Sequence, residues 1–270
     1  MIIAPPDTNR DKKLLAFDLL LTVMDELRLN CPWDIKQTNE TLRHLTIEEV
    51  FELAESITKG DSNDLKKELG DVLLHIVFYC RIASESNQFD ISDVIYSLIE
   101  KLKFRHPHIY GDVQVADEAE VKKNWESLKK KEGQKGTLSG VPASLPPMVK
   151  AMRIQEKARG AGFDWDEPEQ VWEKVKEELN EFEEECENAD FDKDAAEKEL
   201  GDVFFSLINY ARFKGLNPDL ALEKTNLKFT KRFNHIEKRA EESGKTLNDM
   251  TLTEMDVFWD EAKQMERGII

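Results

Sequence analysis

The chain has 270 residues, of which 38 are basic and 55 acidic, for a net charge of −17. That length allows one large core or two smaller ones, and 14 Phe and 5 Trp argue against disorder. The acidic balance would repel a polyanion over most of the surface, so general nucleic-acid binding is excluded. No run reaches the about 18 apolar residues of a membrane span, and residues 1–13 lack the apolar stretch of a secretory signal. Cys31, Cys80 and Cys186 are odd in number and far apart, which fits neither a disulfide framework nor a cysteine zinc site and points to a reducing cytoplasm.

Apolar residues recur at spacings of three and four, and alternating β-branched runs are almost absent, so the sequence predicts an all-α protein of about ten helices. Over 12–29, Leu15, Leu19, Thr22, Val23 and Leu27 share a face; over 171–186, Val171, Val175, Leu179 and Phe182 do; over 203–213, Val203, Phe204, Leu207, Ile208 and Ala211 do. Residues 132–147, EGQKGTLSGVPASLPP, hold too many helix breakers for a helix and read as a linker. The expected organisation is a domain over 1–131, the linker over 132–147 and a second domain over 148–270.

The two halves repeat each other. EEVFE (48–52) and ELGDVLLHIVFYCRIA (68–83) are answered by EELNE (177–181) and ELGDVFFSLINYARFK (199–214). Glu52 precedes Glu68 by 16 residues, and Glu181 precedes Glu199 by 18. A Leu-Lys-Phe stretch and a Trp in a charged segment, Trp125 and Trp259, follow in each half. A repeat of this length is a duplicated helical bundle, not a solenoid module.

In the second half Glu178 and Glu181 share a helix face, with Glu177 on the flank, and Glu199 and Asp202 form the same pair on the next helix. A short connection over 187–194 makes these helices antiparallel neighbours, so four carboxylates face one groove. Two charges ~6 Å apart at an effective dielectric of ~20 repel by about 3 kcal/mol, which calls for a cation. All-oxygen ligation suits Mg²⁺ or Mn²⁺. A solvated acidic face is the bland alternative, but the full pattern occurs twice. Gly70 and Gly201 cost about 1 kcal/mol each inside a helix, suggesting that a helix or a ligand approaches there. Lys174, Lys228, Lys231 and Arg232 could hold phosphates, and Asn226 and Trp259 a base or ribose.

These motifs resemble the MazG-type nucleoside triphosphate pyrophosphohydrolases. CPWD (31–34), the two ELGD copies, RHPHIYGD (105–112), GVPASLPP (140–147) and KFTKRF (228–233) resemble the full-length two-domain members. The resemblance implies tandem all-α domains in a homodimer, Mg²⁺-dependent hydrolysis of (deoxy)nucleoside triphosphates to the monophosphate and pyrophosphate, and catalysis mainly in the C-terminal domain. It implies metal ligands at Glu178, Glu181, Glu199 and Asp202 and nucleotide contacts at Lys174, Lys228, Lys231, Arg232 and Trp259. A lysine expected before Glu199 is Ala195 here, with Lys198 on another face.

Glu177 or Glu178 is the candidate to position the attacking water. Glu48, Glu49, Glu52, Glu68 and Asp71 form a second candidate metal site. Its basic complement is poorer, because Leu45 stands where the second half has Lys174 and Pro107 interrupts the segment matching KFTKRF. The first half is therefore expected to regulate or dimerise. His106 and His108 lack a third ligand nearby and read as loop structure. A di-iron bundle needs Glu-x-x-His pairs, and none of the five histidines has a glutamate three residues before it. The alternative function is a non-catalytic helical dimer that binds metal or a regulatory nucleotide.

Overall fold

The computed structural model describes residues 8–117, 120–121, 124–125, 128 and 136–268. Among them are ten α-helices and no strand. They are α1 (Arg10–Asn30), α2 (Asn39–Lys59), α3 (Ser62–Glu85), α4 (Ile91–Arg105), α5 (Pro107–Tyr110), α6 (Pro147–Gly160), α7 (Pro168–Glu187), α8 (Lys193–Phe213), α9 (Pro218–Glu242) and α10 (Leu252–Glu266). They divide into two compact units, residues 1–118 and 119–270. Of the breaker-rich segment, residues 132–135 lie outside the described residues. Residues 136–146 are turns without helix, and Pro147 opens α6.

In the first unit α2 and α3 form an antiparallel hairpin. Thr38 starts α2 with a capping box, its hydroxyl accepting from the Thr41 backbone N–H at 3.3 Å. Gly60 ends α2 at φ 71°, a left-handed position that glycine takes without a Cβ clash. Asp61 immediately caps α3 by accepting from the backbone N–H of Asn63 at 2.8 Å and Asp64 at 3.2 Å. The two-residue connection forces the helices to run back along each other. Their core is Met24, Leu42, Val77 and Phe78, with Phe17, Leu20, Leu21 and Leu45 packed around it.

The stripe counted on α1 does not make this core. Leu15, Leu19 and Val23 are 47–59% exposed, and the packed side carries Phe17, Leu20, Leu21 and Met24. The helix is apolar on two sides, and periodicity alone could not tell which side meets the bundle.

The second unit repeats the hairpin with α7 and α8. Pro168 opens α7 where a missing N–H costs nothing, and Asp192 caps α8 through the Asp194 N–H at 2.9 Å. Val171 and Val175 of α7 and Val203 and Ile208 of α8 are buried, whereas Phe204 is 54% exposed. Ile236 and Ala240 of α9 and Ala262 of α10 complete the core. No helix among the described residues is long and apolar enough to cross a membrane.

Candidate active site

Each hairpin brings three acids together. In the second unit Glu178, Glu199 and Asp202 have carboxylate oxygens all within 4.8 Å of one another. Glu178 is 6% exposed, Glu199 half-buried and Asp202 exposed, so the trio runs from the buried side of the hairpin out to solvent. Glu181 is exposed and stands one turn beyond Glu178. Its carboxyl is held above the usual range by desolvation and by the charges of Glu178, Glu177 and Glu199, against the pull of Lys174. Glu181 therefore shares the field of the trio without joining its closest contact.

Lys174 sits on the acids, with Nζ 2.6 Å from Glu178 and 2.9 Å from Glu177. Those hydrogen bonds push its ammonium well above the ordinary lysine range. One cation thus partly offsets the repulsion, but it leaves Glu199 and Asp202 without an ion pair among the described residues. Ala195, in the first turn of α8, brings no cation to them, and Lys198 is exposed and unpaired among the described residues.

The first unit assembles the matching trio of Glu49, Glu68 and Asp71, again within 4.8 Å. Glu48 and Glu52 are exposed and outside it. Leu45 gives no cation here, and Lys67 takes the part, with Nζ 2.9 Å from Glu68 Oε1. The other oxygen, Glu68 Oε2, is buried with no partner. Desolvation, then Asp71, Glu52, Glu68 and Glu48, holds the Glu49 carboxyl above its usual range. An orphaned carboxylate oxygen inside an all-oxygen cluster is the donor set a hard divalent cation fits. Lys67 was invisible to a helical-face argument because it is next to Glu68 in sequence, not three or four away.

The remaining candidates fall on α9 and α10. Arg232 donates from Nε and Nη2 to Glu266 Oε2, at 3.1 and 2.6 Å, and its guanidinium lies 5.2 Å from the Trp259 ring centroid. Phe229 packs on the other partner of this group, 5.2 Å from Trp259. Lys228 and Lys231 are exposed with no ion pair among the described residues, and both lower the Glu266 carboxyl behind the larger effect of Arg232. The Asn226 amide donates to Glu223 at 3.3 Å. Glu266 and Phe229 were not among the candidates; their partners lie on other turns or another helix, beyond what motif spacing reveals.

One expectation is narrowed. A Cβ built at Gly70 or Gly201 meets nothing within 4 Å, so among the described residues no helix makes the close approach those glycines suggested, which leaves a ligand as the other expected neighbour. His106, read as loop structure, caps α4, with Nδ1 2.7 Å from the Leu102 carbonyl, and the two acidic groups that could hold a metal among the described residues contain neither it nor His108.

The MazG nucleotide pyrophosphohydrolase domain is matched twice, over residues 37–110 and 166–237, once in each unit. The chain is 37% identical over 256 residues to a nucleoside triphosphate pyrophosphohydrolase of Escherichia coli K12, covering 92% of this chain and 97% of that one. It is 40% identical over 254 residues to the nucleoside triphosphate pyrophosphohydrolase/pyrophosphatase MazG of Thermotoga maritima, covering 92% and 96%. It is also 43% identical to the protein YabN of Bacillus subtilis, covering 96% of this chain and 54% of that longer one. With the domain matched over more than half its length and two relatives matched almost end to end, the chain belongs to the MazG nucleotide pyrophosphohydrolase family.

Proposed function

We propose that this protein hydrolyses (deoxy)nucleoside triphosphates of several bases between the α and β phosphates, and that the C-terminal unit does most of the work. The observation that carries this reading is the Glu178–Glu199–Asp202 trio with Lys174 seated on it, inside a chain of this family. Glu178, Glu181, Glu199 and Asp202 would hold Mg²⁺, or Mn²⁺ in its place. Bound there, the cation neutralises phosphate charge and acidifies a coordinated water.

The chain's own residues do the rest. Glu177, exposed and one hydrogen bond from Lys174, or Glu178 beside it, orients the water and takes its proton as the phosphoanhydride opens. Lys174, Lys228, Lys231 and Arg232 stabilise charge on the departing pyrophosphate. Trp259 offers a ring to the base or ribose. In the N-terminal unit Lys67 in place of a Lys174 equivalent supports weaker cation binding and a regulatory or dimerising part. A second copy of the chain would cover the exposed outer side of α1, Leu15, Leu19 and Val23, to make a homodimer. The three free thiols suit a reducing cytoplasm.

The test is product analysis with dNTP and Mg²⁺ on the wild type and on Glu181→Ala and Glu52→Ala separately. Monophosphate plus pyrophosphate, lost with Glu181→Ala and largely kept with Glu52→Ala, is expected. Diphosphate plus phosphate, or no turnover, removes the proposed reaction. Loss confined to Glu52→Ala moves catalysis to the first unit.

A further inference from the structure

Arg232, one of the phosphate-binding candidates, is ion-paired to Glu266, a residue to which the proposed reaction gives no part. The two side chains are only 15% and 22% exposed. A guanidinium carries five N–H donors in a fixed plane. Glu266 engages one on Nε and one on Nη2, both through the single oxygen Oε2. The Trp259 ring lies against the guanidinium at 5.2 Å, and Phe229 backs that ring. Nη1 makes no hydrogen bond among the described residues. Two neighbours from α10, a ring and a carboxylate, therefore fix the plane and one edge of a cation carried by α9. Lys228 and Lys231, on the same helix, have no such support.

We propose that Glu266 is a positioning residue that holds Arg232 with its Nη1 edge open for phosphate oxygens of the nucleotide. The inference rests on the reading that Arg232 binds phosphate. An arginine already held in one geometry loses less side-chain freedom when the ligand arrives, so the clamp acts on affinity. A carboxylate near a triphosphate would repel it, but here the guanidinium stands between the two charges and Glu266 spends its contact on the Nε side. A blocking anion would instead occupy the two-nitrogen fork formed by Nη1 and Nη2. The α9–α10 contact has other ties, Arg239 to Glu261 at 3.1 Å and buried Ile236, Ala240 and Ala262, so the helices stay together without this pair.

Steady-state kinetics with dNTP and Mg²⁺ on the full chain, together with calorimetric titration of pyrophosphate in Mg²⁺ buffer, test the proposal. Glu266→Ala should lower kcat/KM roughly tenfold, the factor that about 1.4 kcal/mol represents, with a raised KM carrying part of the loss. Pyrophosphate affinity should fall by a similar factor, and Glu266→Asp should recover part of it. Arg232→Ala with Glu266→Ala should be no worse than Arg232→Ala alone. An unchanged or lower KM in Glu266→Ala, or additive losses in the double variant, overturns the clamp. If Arg232→Ala leaves KM and pyrophosphate binding intact, the phosphate contact itself is wrong. If the wild type releases no pyrophosphate, the error lies in the proposed reaction.

Discussion

Removing one charge from the acidic trio should stabilise the metal-free protein while destroying its response to metal. Glu199→Gln is the sharpest form, because it keeps the shape of a half-buried side chain whose oxygens lie within 4.8 Å of Glu178 and Asp202. At that separation, and an effective dielectric of ~20, one pair of carboxylates repels by about 3.5 kcal/mol. Solvent on the open side and the nearby Lys174 charge reduce this to about 1–2 kcal/mol of expected stabilisation. For a unit of this size each kcal/mol moves the melting temperature by about 2–4 °C. Magnesium at 100 times its Kd should raise the stability of the wild type by about 2.7 kcal/mol, and that gain should vanish in the variant. Calorimetric melts in EDTA and in Mg²⁺ measure both effects. A Glu199→Gln protein that melts lower than wild type in EDTA and still gains stability from Mg²⁺ would refute the reasoning.

Three further outcomes follow from particular contacts. Gly201→Ala and Gly70→Ala should each stabilise by about 1 kcal/mol, since an added Cβ meets open space and alanine favours the helix; a lower melting temperature would mean that a second copy fills that space in solution. Gln155 is 6% exposed, with Oε1 buried and unpartnered while Nε2 reaches the Phe205 carbonyl at 2.7 Å. Gln155→Met should therefore gain about 1 kcal/mol in urea melts, and a loss of that size would show the lost amide bond outweighs the stranded oxygen. Finally, Glu49 is held above its ordinary value near 4.5, so the folded state binds that proton more readily than the unfolded state. Its stabilising contribution is complete below the ordinary value and disappears as pH rises through the raised one. Metal-free wild type should thus lose more stability than Glu49→Gln as the pH rises from about 4.5. Denaturant curves at each pH with the reverse order would contradict the assigned cause.

The hairpins and the acids were legible because their signals are local. Thr38, Asp61 and Asp192 cap the helices within three residues, and the ExxE and ExxD spacings place acids on one face whatever lies elsewhere. What the sequence hid depends on distant partners or on a choice between equivalent faces. The outer stripe of α1 has the same periodicity as its packed side. Glu266 lies 34 residues from Arg232. Lys67 reaches Glu68 by folding back along its own helix, a geometry that spacing rules do not describe.

Comparison of the two units supports the proposal that the acids hold a ligand and are not only a solvated face. A shift of 131 residues matches α1 and α3 to α6 and α8 in sequence, and each unit has a cavity lined by residues at matching positions. The first is lined by Leu21, Met24, Asp25, Val77 and Arg81 and the second by Met152, Gln155, Glu156, Ile208 and Arg212. Their volumes are about 130 and 260 Å³, because the residues have drifted. Buried Met24 has become Gln155, and Arg81, paired with Asp25 at 2.6 Å, has become Arg212, which turns to Asp164 and Asn209. The drift continues directly beneath the acids. His75, with Nδ1 2.7 Å from the Thr46 hydroxyl, is replaced by Ser206, which bonds the Val203 carbonyl at 3.0 Å, and Thr46 itself by Val175. Through all of these differences Glu49, Glu68 and Asp71 are matched by Glu178, Glu199 and Asp202, and each trio stays clustered. A solvated surface has no reason to keep three mutually repelling carboxylates in place while the core below them is rewritten. The proposed cation, needing all three, would supply that reason.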